Sequence, residues 1–275
     1  MIWSGAIGNV KEIHCGCGSQ YSKVNELEAA KQEMPVPPTL DWDLWLGPAP
    51  VRPYNSCYVP NKWRGWLQFG TGVIGDWVCH VVDPVFWALD LGAPATIQAE
   101  VFGYDPKKHA ETCPPGTKIT YEFSAKGKRP AVKLVWYDGN QPLPAQPELQ
   151  GEKPPKTGAV VIGEKGKIIY GSHGAGSCRI IPDEQMAEYR QKEQPSPIPK
   201  SPGHHAEWLL ACKGGKPAGS NFSYGGPLTE IALLGAIAFR FPGVKLEWDG
   251  PAMRFTNHAE ASRYLVTEYR KGWSL

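Results

Sequence analysis

The chain has 275 residues, with 29 lysines and arginines against 27 aspartates and glutamates and a formal net charge of +2. A chain of that length buries roughly 70% or more of its unfolded surface without a disulfide or metal staple. Its balanced charge excludes the global field that gathers nucleic acid, anionic membrane or acidic substrates.

The amino terminus, Met1-Ile2-Trp3-Ser4-Gly5-Ala6-Ile7-Gly8, has neither the basic region nor the apolar run of a signal peptide. The longest apolar stretch, residues 231–241, falls short of the ~20 residues of a membrane helix and contains Arg240. The seven cysteines include no C-x-x-C pair and read as free thiols of a reducing cytosol, so the expectation is a cytoplasmic protein with no membrane partner. Eleven tryptophans suit a protein that stacks flat rings on pyranose faces, although large aromatics also fill ordinary cores.

In chain order, residues 7–15 read as a strand, and residues 35–60 as a Pro-rich arm. Residues 75–89 follow with helical three-and-four spacing, which Asp83-Pro84 should kink or end early. Strands are expected at 97–103, 117–123 and 131–137. Ile119, Tyr121 and Phe123 share one face, while Val135 and Tyr137 lie opposite Leu134 and Trp136, so both faces of the sheet are partly covered. A second Pro-rich arm, residues 141–156, precedes a hairpin over 158–170, where Gly163 and Gly166 could supply positive backbone angles. A loop over 191–202 leads to helices at 204–212, 228–239 and 259–271. Consecutive strands without intervening helices give an α+β fold: an open, mostly antiparallel sheet with helices on one face and extended Pro-rich arms, in one domain over 1–275.

Asp76 and His80 carry the most chemistry. Four residues apart, they share one helix face, continued by Asp83 and Trp87, while Val78, Val81, Val82, Val85, Phe86 and Leu89 anchor the other. An imidazole titrates near neutrality, and a carboxylate beside it can orient the ring, so the pair suits proton transfer from a face that looks into a cavity. The same spacing also describes an ordinary surface pair, and Asp76 could simply cap its helix.

Gly70-Thr71-Gly72-Val73-Ile74-Gly75 formally matches the dinucleotide fingerprint, with Glu100 near the ribose offset. The polar and aromatic run before it, Asn61-Lys62-Trp63-Arg64-Gly65-Trp66-Leu67-Gln68-Phe69, is no buried parallel strand, so the match is rejected. His204 and His205, after Pro202-Gly203 at a helix start, could contact substrate or join His80 in a metal site. No metal is expected, and the bland alternative is that His204 caps its helix and His205 packs. His14, His109, His173 and His258 read as ordinary, without nearby acidic partners.

Taken together, Trp42-Asp43-Leu44-Trp45-Leu46-Gly47-Pro48-Ala49-Pro50, Trp63-Arg64-Gly65-Trp66, Phe69-Gly70-Thr71-Gly72, Asp76 to His80 and Asp83-Pro84 resemble the carboxy-terminal domain of bacterial Gfo/Idh/MocA oxidoreductases. Ser201-Pro202-Gly203-His204-His205-Ala206-Glu207-Trp208, Gly226-Pro227-Leu228-Thr229-Glu230 and Glu247-Trp248-Asp249 fit the same group, so the resemblance covers nearly the whole chain. It implies an open sheet whose bare face packs on a second subunit as a homo-oligomer. It also implies a catalytic pair, His80 taking a hydroxyl proton from a sugar and Asp76 binding and orienting the substrate, with Arg64, Trp63 and Trp66 flanking the ring.

In that family an amino-terminal Rossmann domain holds NAD or NADP and adds a lysine. Here Ile7-Gly8-Asn9-Val10 resembles the first strand after that domain, so this chain alone is expected to bind no cofactor. NAD(P) would then come from a Rossmann domain elsewhere, this chain being a truncated or separately made half or borrowing that domain from another subunit. Two alternatives stand beside a sugar oxidoreductase half. One is a cofactor-free lyase or hydrolase on glycosides, with or without a metal; the other is a non-catalytic carbohydrate-binding scaffold.

Overall fold

A computed structural model describes residues 1–192 and 198–274, so residues 193–197 of the loop expected over 191–202 lie outside the described residues. The described residues form nine strands: β1 (Val10–Cys17), β2 (Thr96–Phe102), β3 (Gly116–Phe123), β4 (Val132–Asp138), β5 (Thr157–Gly163), β6 (Lys167–Gly171), β7 (Arg179–Ile181), β8 (Lys245–Asp249) and β9 (Arg254–Phe255). They stand in the order β7-β6-β5-β1-β4-β3-β2-β8-β9. β1 and β4 run parallel, with Ile13 opposite Leu134, and the other pairings are antiparallel, so the α+β sheet expected from the sequence is present. The hairpin turn falls at residues 163–166, although neither of its glycines takes a positive φ.

Alternation sorts the strands into two faces. Ile13, Cys15, Ile97, Ile119, Tyr121, Phe123, Leu134, Trp136, Val161 and Tyr170 lie in the main core. On the opposite face Val135, Tyr137, Val160 and Ile169 are covered by Leu143 and Leu149 of the second Pro-rich arm. Beyond that cover the outer face carries paired charges, Lys118 with Glu100 at 2.7 Å and Lys245 with Glu122 at 2.6 Å. His14 also sits on this face, with Glu12 3.1 Å from its Nε2; it therefore has the acidic partner that its sequence context did not suggest.

Helices α1 (Trp42–Leu46), α2 (Gly72–Val81), α3 (Asp83–Leu89), α4 (Asp183–Arg190), α5 (His204–Cys212), α6 (Phe222–Ala238) and α7 (Ala259–Ser262) complete the described chain. The helix expected over 75–89 starts earlier and bends by 53° into α2 and α3, with Pro84 in the first turn of α3. The helix expected over 259–271 is shorter: α7 gives way to a 3-10 turn at Arg263–Leu265 and then to extended chain pinned by Arg270 to Asp43 and to the Gly47 carbonyl. Among the described residues no single helix is long and apolar enough to cross a membrane.

α2 packs on α6 and β1 through Val73, Ile74, Val78 and Val81. Each buried aliphatic side chain is worth roughly 1.5–3 kcal/mol, whereas an exposed ion pair contributes about 0–1 kcal/mol. Packing, rather than its polar face, therefore fixes the position of α2.

Asp138, at the end of β4, is 4% exposed. Its Oδ1 accepts the Thr117 backbone N–H at 2.8 Å and its Oδ2 the Trp136 indole N–H at 2.9 Å. Burial nevertheless pushes its carboxyl up to about 6, above the ordinary 3.8. With the folded value raised, the fold is favoured where the acid is protonated in both states, and that advantage is lost as pH climbs from about 4 through 6. The expected loss is on the order of 2–3 kcal/mol, read as a falling melting temperature over that window. An Asp138→Asn variant should show a flatter profile, and an equally steep one would remove Asp138 as the source.

Candidate functional site

The chain leaving β1 crosses in front of α2 at residues 18–23. Ser22 Oγ donates to the Cys113 carbonyl at 2.7 Å, and Thr112 Oγ1 accepts the Lys23 N–H at 2.8 Å. The Gly65 carbonyl in turn accepts from Thr112 Oγ1 and from Cys113 N, both at 2.9 Å. Gly65 closes a 3-10 turn, Lys62–Gly65, and a Cβ there would lie 1.8 Å from the Tyr21 carbonyl oxygen; only glycine lets the three segments meet. The junction sets Tyr21 and Arg64 against Asp76 of α2.

Tyr21 Oη donates to Asp76 Oδ2 at 2.5 Å and accepts the Trp77 indole N–H at 3.0 Å. Arg64 Nη1 reaches Tyr21 Oη at 3.3 Å and Asp76 Oδ2 at 3.5 Å. Burial, reinforced by the bond to the Asp76 carboxylate, raises the Tyr21 hydroxyl above its ordinary value and keeps it a donor. The Arg64 and Asp76 side chains retain 39% and 35% of their exposure, so the cluster has room for a ligand. Among the described residues Asp76 Oδ1, Arg64 Nη2 and both ring nitrogens of His80 have no hydrogen-bond partner.

Asp76 and His80 stand one turn apart on α2, as their spacing requires. Asp76 does not orient the imidazole, however: its Oδ2 is taken by Tyr21 and Arg64, and no bond joins it to His80. The ring is instead positioned by His173, whose imidazole stacks on it at 4.6 Å and 30° and whose backbone N–H donates to the His80 carbonyl at 3.2 Å. Trp77 meets both rings edge-on at 5.5 Å. His173 belongs to the loop between β6 and β7, at φ 56°, and Ser172 Oγ lies 2.7 Å from its Nδ1. Its sequence context gave no sign of this role, because the contact spans 93 positions of the chain and is made by a loop.

Other expected partners are placed elsewhere. Trp66 is fully buried, its N–H donating to the Cys57 carbonyl at 3.0 Å, and cannot flank a ligand. Trp63 is 37% exposed and does reach solvent beside Arg64. His204 and His205 are exposed at the start of α5 and pack on each other at 4.1 Å; neither touches Asp76 or His80, and His204 makes no cap bond. A metal set of His80, His204 and His205 is therefore not assembled. The stripe expected to continue through Asp83 and Trp87 is broken by the bend: Asp83 accepts from Tyr224 Oη at 2.5 Å, and Trp87 packs on Trp3.

His80 is exposed, and the pair faces an open surface rather than a closed monosaccharide pocket. Two open cavities, one against Trp45 and Trp63 and one against Trp3 and Trp87, are not lined by Asp76 or His80. The glycine run 70–75 follows the 3-10 turn and a bridge at Trp66 rather than a buried strand, so these residues do not form a βαβ nucleotide crevice.

A family model described as the C-terminal alpha/beta domain of an oxidoreductase family, of Gfo/Idh/MocA type, matches residues 12–275. A crystal structure from Bordetella bronchiseptica RB50, provisionally assigned as a dehydrogenase, is 13% identical with a TM-score of 0.44. That match covers 90% of this chain and 64% of the other, so the chain spans less than two thirds of that protein's length. No curated protein matches the sequence.

Proposed function

The chain belongs to the Gfo/Idh/MocA oxidoreductase family through its C-terminal α/β domain, and we propose that it is the sugar-gripping, proton-abstracting part of a pyranoside oxidoreductase. The observation that carries this reading is the cluster of Tyr21, Arg64 and Asp76 one helical turn from an imidazole with free ring nitrogens. Asp76 Oδ1 and the unused guanidinium nitrogens of Arg64 accept from and donate to adjacent hydroxyls of a sugar, and His80 takes the proton of the hydroxyl that is oxidised. Tyr21 keeps the Asp76 carboxylate fixed while this happens, and His173 limits the swing of the His80 ring.

The C-terminal domain of this family usually works beside an NAD(P)-binding Rossmann domain. In our reading NAD(P) is held by such a domain, and that domain also closes over the open face carrying His80.

Calorimetric titration of methyl pyranosides tests the gripping role. Replacing Asp76 or Arg64 with alanine is expected to weaken binding about tenfold or more, the scale of one hydrogen bond to a charged group. Affinity unchanged in both variants would move the sugar site elsewhere.

A further inference from the structure

Next to the turn that carries Arg64 lies a cavity of about 390 Å³, lined by Trp45, Leu46, Trp63, Gln68, Phe69 and Thr267 among others. That volume falls within the roughly 300–1,000 Å³ of small-molecule sites. Trp63 and Arg64 are consecutive, their Cα atoms about 3.8 Å apart. One side chain walls the cavity while the next reaches Asp76.

The cavity is a built feature. Trp45 stacks on Trp42 at 4.7 Å and 13°, and Phe69 meets it edge-on at 4.9 Å. Gln68 is held at both ends, Oε1 accepting from Arg52 and Nε2 donating to the Pro50 carbonyl, each at 2.8 Å. Thr267 comes from the C-terminal strap, which Arg270 fastens to Asp43, to the Gly47 carbonyl and, through its backbone N–H, to Pro48.

Apart from Gln68, its polar side chains make no hydrogen bond within the described residues. Trp3, Trp42, Trp66, Trp77, Trp136 and Trp248 all donate their indole N–H to protein acceptors. Among the described residues the N–H groups of Trp45 and Trp63 and the hydroxyl of Thr267 have no such partner, nor do the N–H groups of the exposed Trp87, Trp208 and Trp273. Flat rings with free donors at their edges match a pyranose, whose C–H face is apolar and whose rim is hydroxyl. An apolar ligand would leave those donors unpaired on desolvation, at a cost.

We propose that this cavity is a second sugar subsite, holding the neighbouring ring of a glycoside whose first ring lies on Asp76 and His80, so that the substrate is a disaccharide or longer. The inference rests on the pyranoside reading of the Asp76 site and extends it.

The test compares methyl glucopyranosides and galactopyranosides with cellobiose, maltose and lactose by calorimetry on the whole chain. The disaccharides are expected to bind about tenfold more tightly, and Trp45→Ala to erase that advantage while leaving the methyl glycosides unchanged. Trp45→Leu repeats the measurement should circular dichroism show that Trp45→Ala has lost its fold. A preference that survives both variants, or no preference for disaccharides, overturns the subsite. If Arg64→Ala still weakens the methyl glycosides in that case, the Asp76 reading stands alone. If Trp45→Ala acts but Arg64→Ala does not, the aromatic site binds sugar and the Asp76 reading falls.

Discussion

In the His80→Ala variant, turnover of a pyranoside is expected to fall about 10²–10⁴-fold, the usual contribution of a positioned general base, while affinity for the sugar changes by less than about threefold. The separation follows from the placement of the groups. Hydroxyl binding falls to Asp76 and Arg64, which are tied to each other and to Tyr21. His80 shares no bond with them and touches His173 and Trp77 instead. Its loss removes a proton acceptor without loosening the carboxylate. A parallel fall in affinity would mean that His80 grips the substrate, and unchanged turnover would remove it from the chemistry.

The Gly235→Ala variant is expected to lose about 2–5 kcal/mol of stability, read as a lower urea midpoint at unchanged slope. Gly235 lies on α6 where that helix comes nearest the sheet, and a Cβ there would stand 2.2 Å from Tyr121 Oη and 2.3 Å from Ile74 Cδ1. Tyr121 is fully buried and its hydroxyl donates to the Ile231 carbonyl at 2.9 Å, so moving it strands a buried donor as well as straining the core. Ile74 lies on α2, two residues before Asp76, and the same methyl group therefore presses on the helix that carries the proposed site. A variant as stable as the parent would show that α6 is packed less closely than this.

The sheet was legible because strand patterning is local. Ile119, Tyr121 and Phe123 alternate with polar residues, and they do share one buried face of β3. Val135 and Tyr137 needed cover on the other face and receive it from Leu143 and Leu149. Pro84 likewise announced the bend after α2. The site was only half legible. Helical spacing places Asp76 and His80 on one face, but the partners they use, Tyr21 and His173, arrive from loops 55 and 93 positions away, where no periodicity forecasts a meeting. Trp66 misled for a related reason. Three residues past Trp63 it would share that side of a continuing 3-10 helix, yet it adopts extended backbone at φ −93° and ψ 116°, bridges to Thr112 and turns inward.

The most direct test follows the His80 and Trp77 side-chain resonances by ¹H–¹⁵N NMR while a methyl pyranoside is added. The account predicts that both shift together and saturably, and that Asp76→Ala abolishes the response. A sugar that binds but perturbs other tryptophans, leaving His80 and Trp77 unmoved, would contradict it.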